Sequence, residues 1–277
     1  MQCTNEHVGQ HTLHKHEFLK RYIAISSAVR RKWQPPTGAG STYIDLFCGC
    51  GRYCIRETGE LTDGSPLVAW KASRDRAPFT KMFIADADSS KRQKTAKLLR
   101  NEGAPVAEVE GDALQAVERI VPQLNPYGLH FAFLDPYSLG ALDFRIIEHL
   151  AKLKRIDMLI HISKMDLQRN LPMNMRKEQD VFDRFAPGWQ KHVDQELLRL
   201  CETGKPGSNI MEKLRAQIIQ FWCRKISELG VWPSTRMELI TGNSGQHLYW
   251  LTLAAKHDLA DDFWKKATNV SQLSLDF

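Results

Sequence analysis

Asp135, Pro136 and Tyr137 form the segment of this sequence best suited to chemistry. They follow the apolar run His130-Phe131-Ala132-Phe133-Leu134, which reads as a strand. A carboxylate at a strand end projects at the sheet edge. Proline stiffens the turn and exposes a carbonyl, and tyrosine offers a flat face. Together they suit a planar group that carries an amine, since the oxygens accept N–H bonds and the ring stacks. Three other segments occupy matching places. After residues 42–47 the chain runs Asp45-Leu46-Phe47-Cys48-Gly49-Cys50-Gly51. Two glycines two apart permit a tight turn and close approach of the backbone to a ligand. Residues 82–85 lead into Asp86 and Asp88, where an acid accepts from both hydroxyls of a ribose or caps a helix. Residues 106–109 lead into Asp112, which accepts from an adenine amine or caps the helix that follows.

The elements that must position these residues alternate. Strand-type runs at 42–47, 82–85, 106–109, 130–134 and 157–162 are separated by helical spacings at 89–101, up to 121, and at 142–153. That rhythm with short joints is the pattern of a parallel sheet covered on both faces. A basic helix at 13–33 precedes it, carrying Lys15, Lys20 and Arg21. Residues 164–209 break the rhythm, a long helix follows at 210–229, and two strands at 237–241 and 247–255 flank a turn. A last helix covers 259–267. We therefore expect a doubly wound, mostly parallel, seven-stranded α/β sheet with an antiparallel last strand and a helical insertion. Residues 1–40 form a helical extension, 41–163 with 236–277 the α/β body, and 164–235 the insertion within the same domain. Ligands in such sheets bind beyond the carboxyl ends of the strands, where strand order reverses.

Composition bounds the function. Of 277 residues 43% are apolar and 25% charged, which excludes collagen-like, low-complexity and disordered classes. The net charge of +6 is uneven: residues 1–40 hold six Lys/Arg against two Asp/Glu, and 164–236 hold 13 against nine. The insertion interleaves Lys164, Arg169, Arg176, Lys177, Arg184 and Lys191 with Phe182, Phe185 and Trp189. Those aromatics suit the packing of a helical lid, and the cations leave RNA or DNA open as partners. No apolar run is long enough to span a membrane, and no secretory signal is expected. Of the six cysteines Cys48, Cys50 and Cys54 are clustered, and Cys3, Cys201 and Cys223 are scattered. That is no secreted disulfide framework, so a reducing cytoplasm is expected. Without a fourth ligand nearby, the cluster reads as buried cysteines and no metal site is expected. The absence of G-x-x-x-x-G-K argues against an ATPase.

The D-L-F-C-G-C-G, post-strand acid, G-D and D-P-Y segments resemble those of class I S-adenosylmethionine-dependent methyltransferases. D-P-Y is similar to the signature of enzymes that methylate exocyclic amines in nucleic acids. A narrower match covers Lys15 to Tyr22, Y-I-D-L-F-C-G-C-G-R-Y, Gly64-Ser65-Pro66-Leu67, F-L-D-P-Y and L-Y-W-L-T-L-A-A-K-H. These blocks look like the three-Cys-motif partner proteins, named for a neighbouring protein that resembles radical S-adenosylmethionine enzymes. The resemblance implies a Rossmann-like methyltransferase fold with S-adenosylmethionine along Asp45, Phe47, Gly49 and Gly51. Asp86 and Asp88 flank the cofactor's ribose, Asp88 holding it, and Asp112 lies near its adenine. Asp135 borders the cofactor and, with Pro136 and Tyr137, holds the target amine. The alternative it implies is a non-catalytic partner protein of that fold, bound to the three-cysteine protein. The chain departs from the pattern in having one proline in D-P-Y. It also inserts residues 52–64 before a helix that starts at Ser65-Pro66, read as its N-cap and N1 pair, an interval expected to set that helix back from the glycine turn.

Overall fold

The computed structural model describes residues 6–174, 181–203 and 207–269; Cys3, Arg176 and Lys177 lie outside the described residues. The strands are β1 (His7–Val8), β2 (Ser41–Asp45), β3 (Arg52–Ile55), β4 (Leu61–Asp63), β5 (Lys81–Ala85), β6 (Val106–Val109), β7 (Leu129–Leu134), β8 (Ile156–Ser163), β9 (Trp232–Thr241) and β10 (His247–Ala255). The helices are α1 (His11–Ile25), α2 (Ser27–Arg31), α3 (Ser65–Ser73), α4 (Ser89–Asn101), α5 (Ala113–Ile120), α6 (Phe144–Ala151), α7 (Lys164–Asn174), α8 (Val181–Phe185), α9 (Gln195–Thr203), α10 (Ser208–Glu228) and α11 (Asp258–Thr268). Among the described residues no helix is long and apolar enough to cross a membrane.

Seven strands form one sheet in the order β6-β5-β2-β7-β8-β10-β9. β2 pairs in parallel with both β5 and β7, and β10 runs antiparallel to β8 and β9. This is the doubly wound, mostly parallel sheet expected, with strand order reversing between β2 and β7. The two-residue period of a strand divides the core. Ile44, Phe83, Ala132, Leu134, Met158 and Ile160 face one side, packed with α5, α6, α8 and α10. Tyr43, Met82, Ile84, Phe131, Phe133 and Leu159 face the other, packed with α1, α3, α4 and α11. Phe182, Phe185 and Trp189 of the insertion are fully buried in the first core, so these aromatics pack.

Two local readings change. The helix expected at 13–33 breaks at Ser26, whose Oγ donates to the Tyr22 and Ile23 carbonyls and accepts from Arg30 Nη1. Residues 52–64 form the hairpin β3–β4, with β1 added in parallel to make a small second sheet. The hairpin loops out and returns, so the start of α3 is not set back. Gly64 N–H donates to the Gly51 carbonyl at 2.7 Å, and Gly64, not Ser65, is the N-cap of α3. Ser65 Oγ instead donates to Asp45 Oδ2 at 2.7 Å.

Asp45 is fully buried and also accepts from Tyr43 Oη and the Phe47 N–H. It ties the end of β2 to the glycine turn and to α3. Burial pushes its carboxyl up to about 7, against the opposing effect of these donors. Burial likewise pushes Asp157 up to about 6, although Tyr22 Oη donates to it. A carboxyl raised on folding takes up a proton as the chain folds. Its contribution is full below the unfolded value near 3.8 and is lost as pH rises through the folded value. Unfolding free energies measured from pH ~4 to pH ~8 should therefore fall through these two groups. Asp45→Asn should remove the part of that fall nearest neutrality, and an unchanged profile in the variant would refute the assignment.

Candidate active site

A cavity of about 680 Å³ lies at the carboxyl ends of β2, β5, β6, β7 and β8, across the point where strand order reverses. Its volume is that of a ligand site. Phe47, Gly49, Asp86, Asp112, Asp135, Pro136 and Tyr137 all line it; Asp45, Gly51 and Asp88 do not.

Each displaced residue has a physical reason. Asp45 is spent on the buried bonds described above. Gly51 (φ +78°) packs against α4, where a Cβ would stand 3.0 Å from Thr95 and Leu98 side-chain atoms. Asp88 is the N-cap of α4, its Oδ1 accepting from Ser90 N at 2.9 Å and Lys91 N at 3.2 Å. Asp86 is the acid that faces the cavity after β5. Its Oδ2 accepts from Gly49 N at 2.9 Å and its Oδ1 from Asp88 N at 2.9 Å, so it fixes the glycine turn. Gly49 has φ +58°, and a Cβ there would collide with the Tyr53 hydroxyl, so this turn requires glycine. Asp112 lines the cavity and caps α5 in a reciprocal pair with Gln115.

Asp135 is in phase with Phe131 and Phe133 and faces the α1 side of the sheet. There its Oδ2 accepts from Lys15 Nζ, and its Oδ1 lies 2.7 Å from His161 Nδ1. The three side chains are only 10% (Lys15), 18% (Asp135) and 13% (His161) exposed. Burial alone would raise the Asp135 pKa. The Lys15 ammonium and the His161 hydrogen bond outweigh it and hold the carboxyl below the usual carboxylate range. Burial holds His161 below its ordinary value against the hydrogen bond to Asp135, so the imidazole is neutral at neutral pH. The bond assigns the proton to Nδ1 and leaves Nε2 as the basic atom. Tyr249 lies beside both partners, its ring centroid 4.0 Å from that of His161 and 5.6 Å from Lys15 Nζ. Tyr137 is 90% exposed, whereas Pro136 is buried.

Lys15, His161 and Tyr53 were not among the site residues expected from sequence. Lys15 carried a signal: the buried positions of α1 are Thr12, Lys15, His16, Leu19, Tyr22 and Ile23, one helical face. A lysine on an apolar face needs a buried counter-charge. His161 is a polar residue near the carboxyl end of the buried run Ile156–Ser163. The cysteines point inward: Cys50 Sγ lies 2.9 Å from the Arg52 carbonyl and Cys54 Sγ 3.3 Å from that of Gly59. Among the described residues no three His, Cys, Asp or Glu side chains are grouped to hold a metal ion.

No protein-family model and no curated protein matches this sequence. In structure the chain is similar to a Legionella pneumophila protein of the DUF519 family, at 10% identity and a TM-score of 0.52, over 93% of this chain and 91% of that one. It is also similar to an O-methyltransferase from Bacillus cereus in complex with SAH, at 13% identity and a TM-score of 0.48, over 88% and 81% of the two chains. A third similar structure is M. jannaschii TYW2 in complex with AdoMet, at 8% identity and a TM-score of 0.42, over 89% and 75%. These are likenesses of fold alone, an α/β arrangement with a seven-stranded, mostly parallel sheet.

Removing the cation strands a buried carboxylate. Lys15→Met should cost about 3–5 kcal/mol of stability in urea unfolding, and adding Asp135→Asn should recover part of it. A single variant as stable as wild type would show that the pair is not a buried one.

Proposed function

We propose that this protein is an S-adenosylmethionine-dependent methyltransferase acting on an amine of a planar ring, of which a nucleic-acid base is the leading case. The observation that carries this reading is the convergence of Gly49, Asp86, Asp112 and Asp135 on one cavity at the switch point of the sheet. The residues fit the cofactor. Gly49 provides backbone without an intruding side chain, Phe47 adds an apolar wall, Asp86 suits ribose hydroxyls, and Asp112 suits the adenine amine. Asp88 acts through Asp86 and α4, so the ribose role assigned to it by resemblance passes to Asp86.

What the cofactor supplies when bound is a methyl group on a sulfonium, a good leaving group. The chain's own residues then have two tasks, orientation and proton removal. Asp135 stays ionised and is fixed by Lys15 and His161, so it accepts an N–H of the target amine and aims the nitrogen lone pair. Asp135 is too acidic to take the proton, so the basic atom of this pair is His161 Nε2. The exposed Tyr137 ring offers the face on which a planar acceptor stacks. Lys91, Arg145 and Arg184 are also among the lining residues, the first two paired to Glu6 and Asp143, and their charge suits a polyanionic substrate, RNA or DNA. Residue blocks like those of the three-Cys-motif partner proteins add a three-cysteine protein as a partner. A purely non-catalytic scaffold calls for a filled crevice, and 680 Å³ of cavity favours the enzyme.

Calorimetry with S-adenosylmethionine tests the reading. Wild type should bind, Asp86→Ala should bind about 10–100-fold more weakly, and Asp88→Ala should keep its affinity while losing about 1 kcal/mol of stability. No binding by wild type would overturn the cofactor assignment. With labelled cofactor and bulk RNA or DNA, Asp135→Ala and His161→Ala should each lower methyl transfer at least about 100-fold. Equal labelling by wild type and Asp135→Ala would remove Asp135 from the reaction.

A further inference from the structure

The hairpin β3–β4 brings to the glycine turn a side chain that the methyl-transfer chemistry does not use. Tyr53, on β3 opposite Thr62 of β4, lines the cavity beside Gly49. Its hydroxyl fills the space over the turn that a side chain at residue 49 would take, since a Cβ there would collide with it. On the ring's other side a Cβ at Gly64 would stand 3.1 Å from Tyr53 Cε2. The ring therefore lies between the turn and the start of α3, where both neighbours are glycine. The hydroxyl has no hydrogen-bond partner among the described residues, yet it is not enclosed: Tyr53 is half-buried and forms part of the cavity wall. Burial, with Cys50, Asp135 and Asp45 nearby, holds the hydroxyl well above the ordinary tyrosine value, so it is a donor in neutral solution.

The backbone donors at the start of this turn are already committed. Phe47 N donates to Asp45 Oδ1 at 3.1 Å, Cys48 N to the Ala85 carbonyl at 3.0 Å and Gly49 N to Asp86 Oδ2 at 2.9 Å. Two cations of the cavity wall are paired as well, Lys15 with Asp135 and Lys91 with Glu6. Asp86, Asp112, Asp135 and Asp143 line the same cavity, so an anionic part of a ligand there needs a donor. Asp112, Asp86, Gly49 and Asp135 follow β6, β5, β2 and β7, which are neighbours in that order. The cofactor's adenine and ribose take the first two places and its methyl group faces the last, which leaves its amino-acid arm for the glycine turn. We infer that Tyr53 is a cofactor-binding residue whose hydroxyl donates to the carboxylate of that arm. The assignment rests on the S-adenosylmethionine reading. Residues 52–64 then replace, with one side-chain donor, the amides that the turn has spent on its own structure.

Two ligands titrated calorimetrically into the full chain test this role: S-adenosylmethionine, and its decarboxylated analogue, which keeps the adenine, ribose, sulfonium and amine. Wild type should bind the analogue at least about tenfold more weakly. Tyr53→Phe keeps the ring and removes only the hydroxyl. It should lose about the same factor for S-adenosylmethionine and none for the analogue, with thermal unfolding as in wild type. Equal losses for the two ligands, or undiminished affinity for S-adenosylmethionine, would overturn the role of Tyr53 and leave the cofactor in place. No binding of either ligand by wild type would overturn the cofactor reading and the assignment with it.

Discussion

A carboxylate held between an ammonium and an imidazole, out of water, is the constraint from which the rest of this structure follows. Asp135 at the end of β7 is buried enough that an unpaired charge would be very costly. Its cation comes from Lys15, 120 residues earlier in the chain, and its other partner is His161 on the neighbouring strand β8. The pairing therefore requires α1 to lie across the β2, β7 and β8 face of the sheet. Leu19, Tyr22 and Ile23, on the same helical face as Lys15, then seal that core. One arrangement thus anchors the first helix and sets the charge at the cavity.

Polar groups recur along this face for the same geometrical reason. Asp45, Asp135, Asp157 and His161 share the strand phase that points toward α1, and each has found a partner there or in the adjoining turn. They carry opposite consequences. Asp45 and Asp157 are met by neutral donors and are raised; Asp135 meets a full cation and is lowered. Burial is common to all three, so the partner's charge decides which carboxyl is a fixed anion in neutral solution.

The fold was largely legible in the sequence, because strands buried on both faces leave short apolar runs that helices cannot imitate at that length. The small strands β1, β3 and β4 were not. Arg52–Ile55 and Leu61–Asp63 have neither alternation nor a tight-turn signature, and β1 joins them from outside the unit. The site was legible to the level of segments. Each strand end was found, but which of two acids faces the cavity was not. Asp86 and Asp88 differ only in whether the carboxylate turns to Gly49 N or to the first N–H groups of α4. Sequence proximity favours neither.

What the sequence by itself determined is periodicity and chemistry at chain positions: an alternating α/β order, glycine where φ must be positive, and acids where strands stop. Those follow from local sterics and from a two-residue repeat, which need no distant partner. Tertiary structure decided the pairings. It brought Lys15 and His161 to Asp135, sent Asp45 into the core, and returned the 52–64 hairpin so that α3 starts against Gly51. Each outcome depends on the distance between residues far apart in sequence and on the solvent excluded between them. The Coulomb and desolvation terms that govern a charged side chain depend on both.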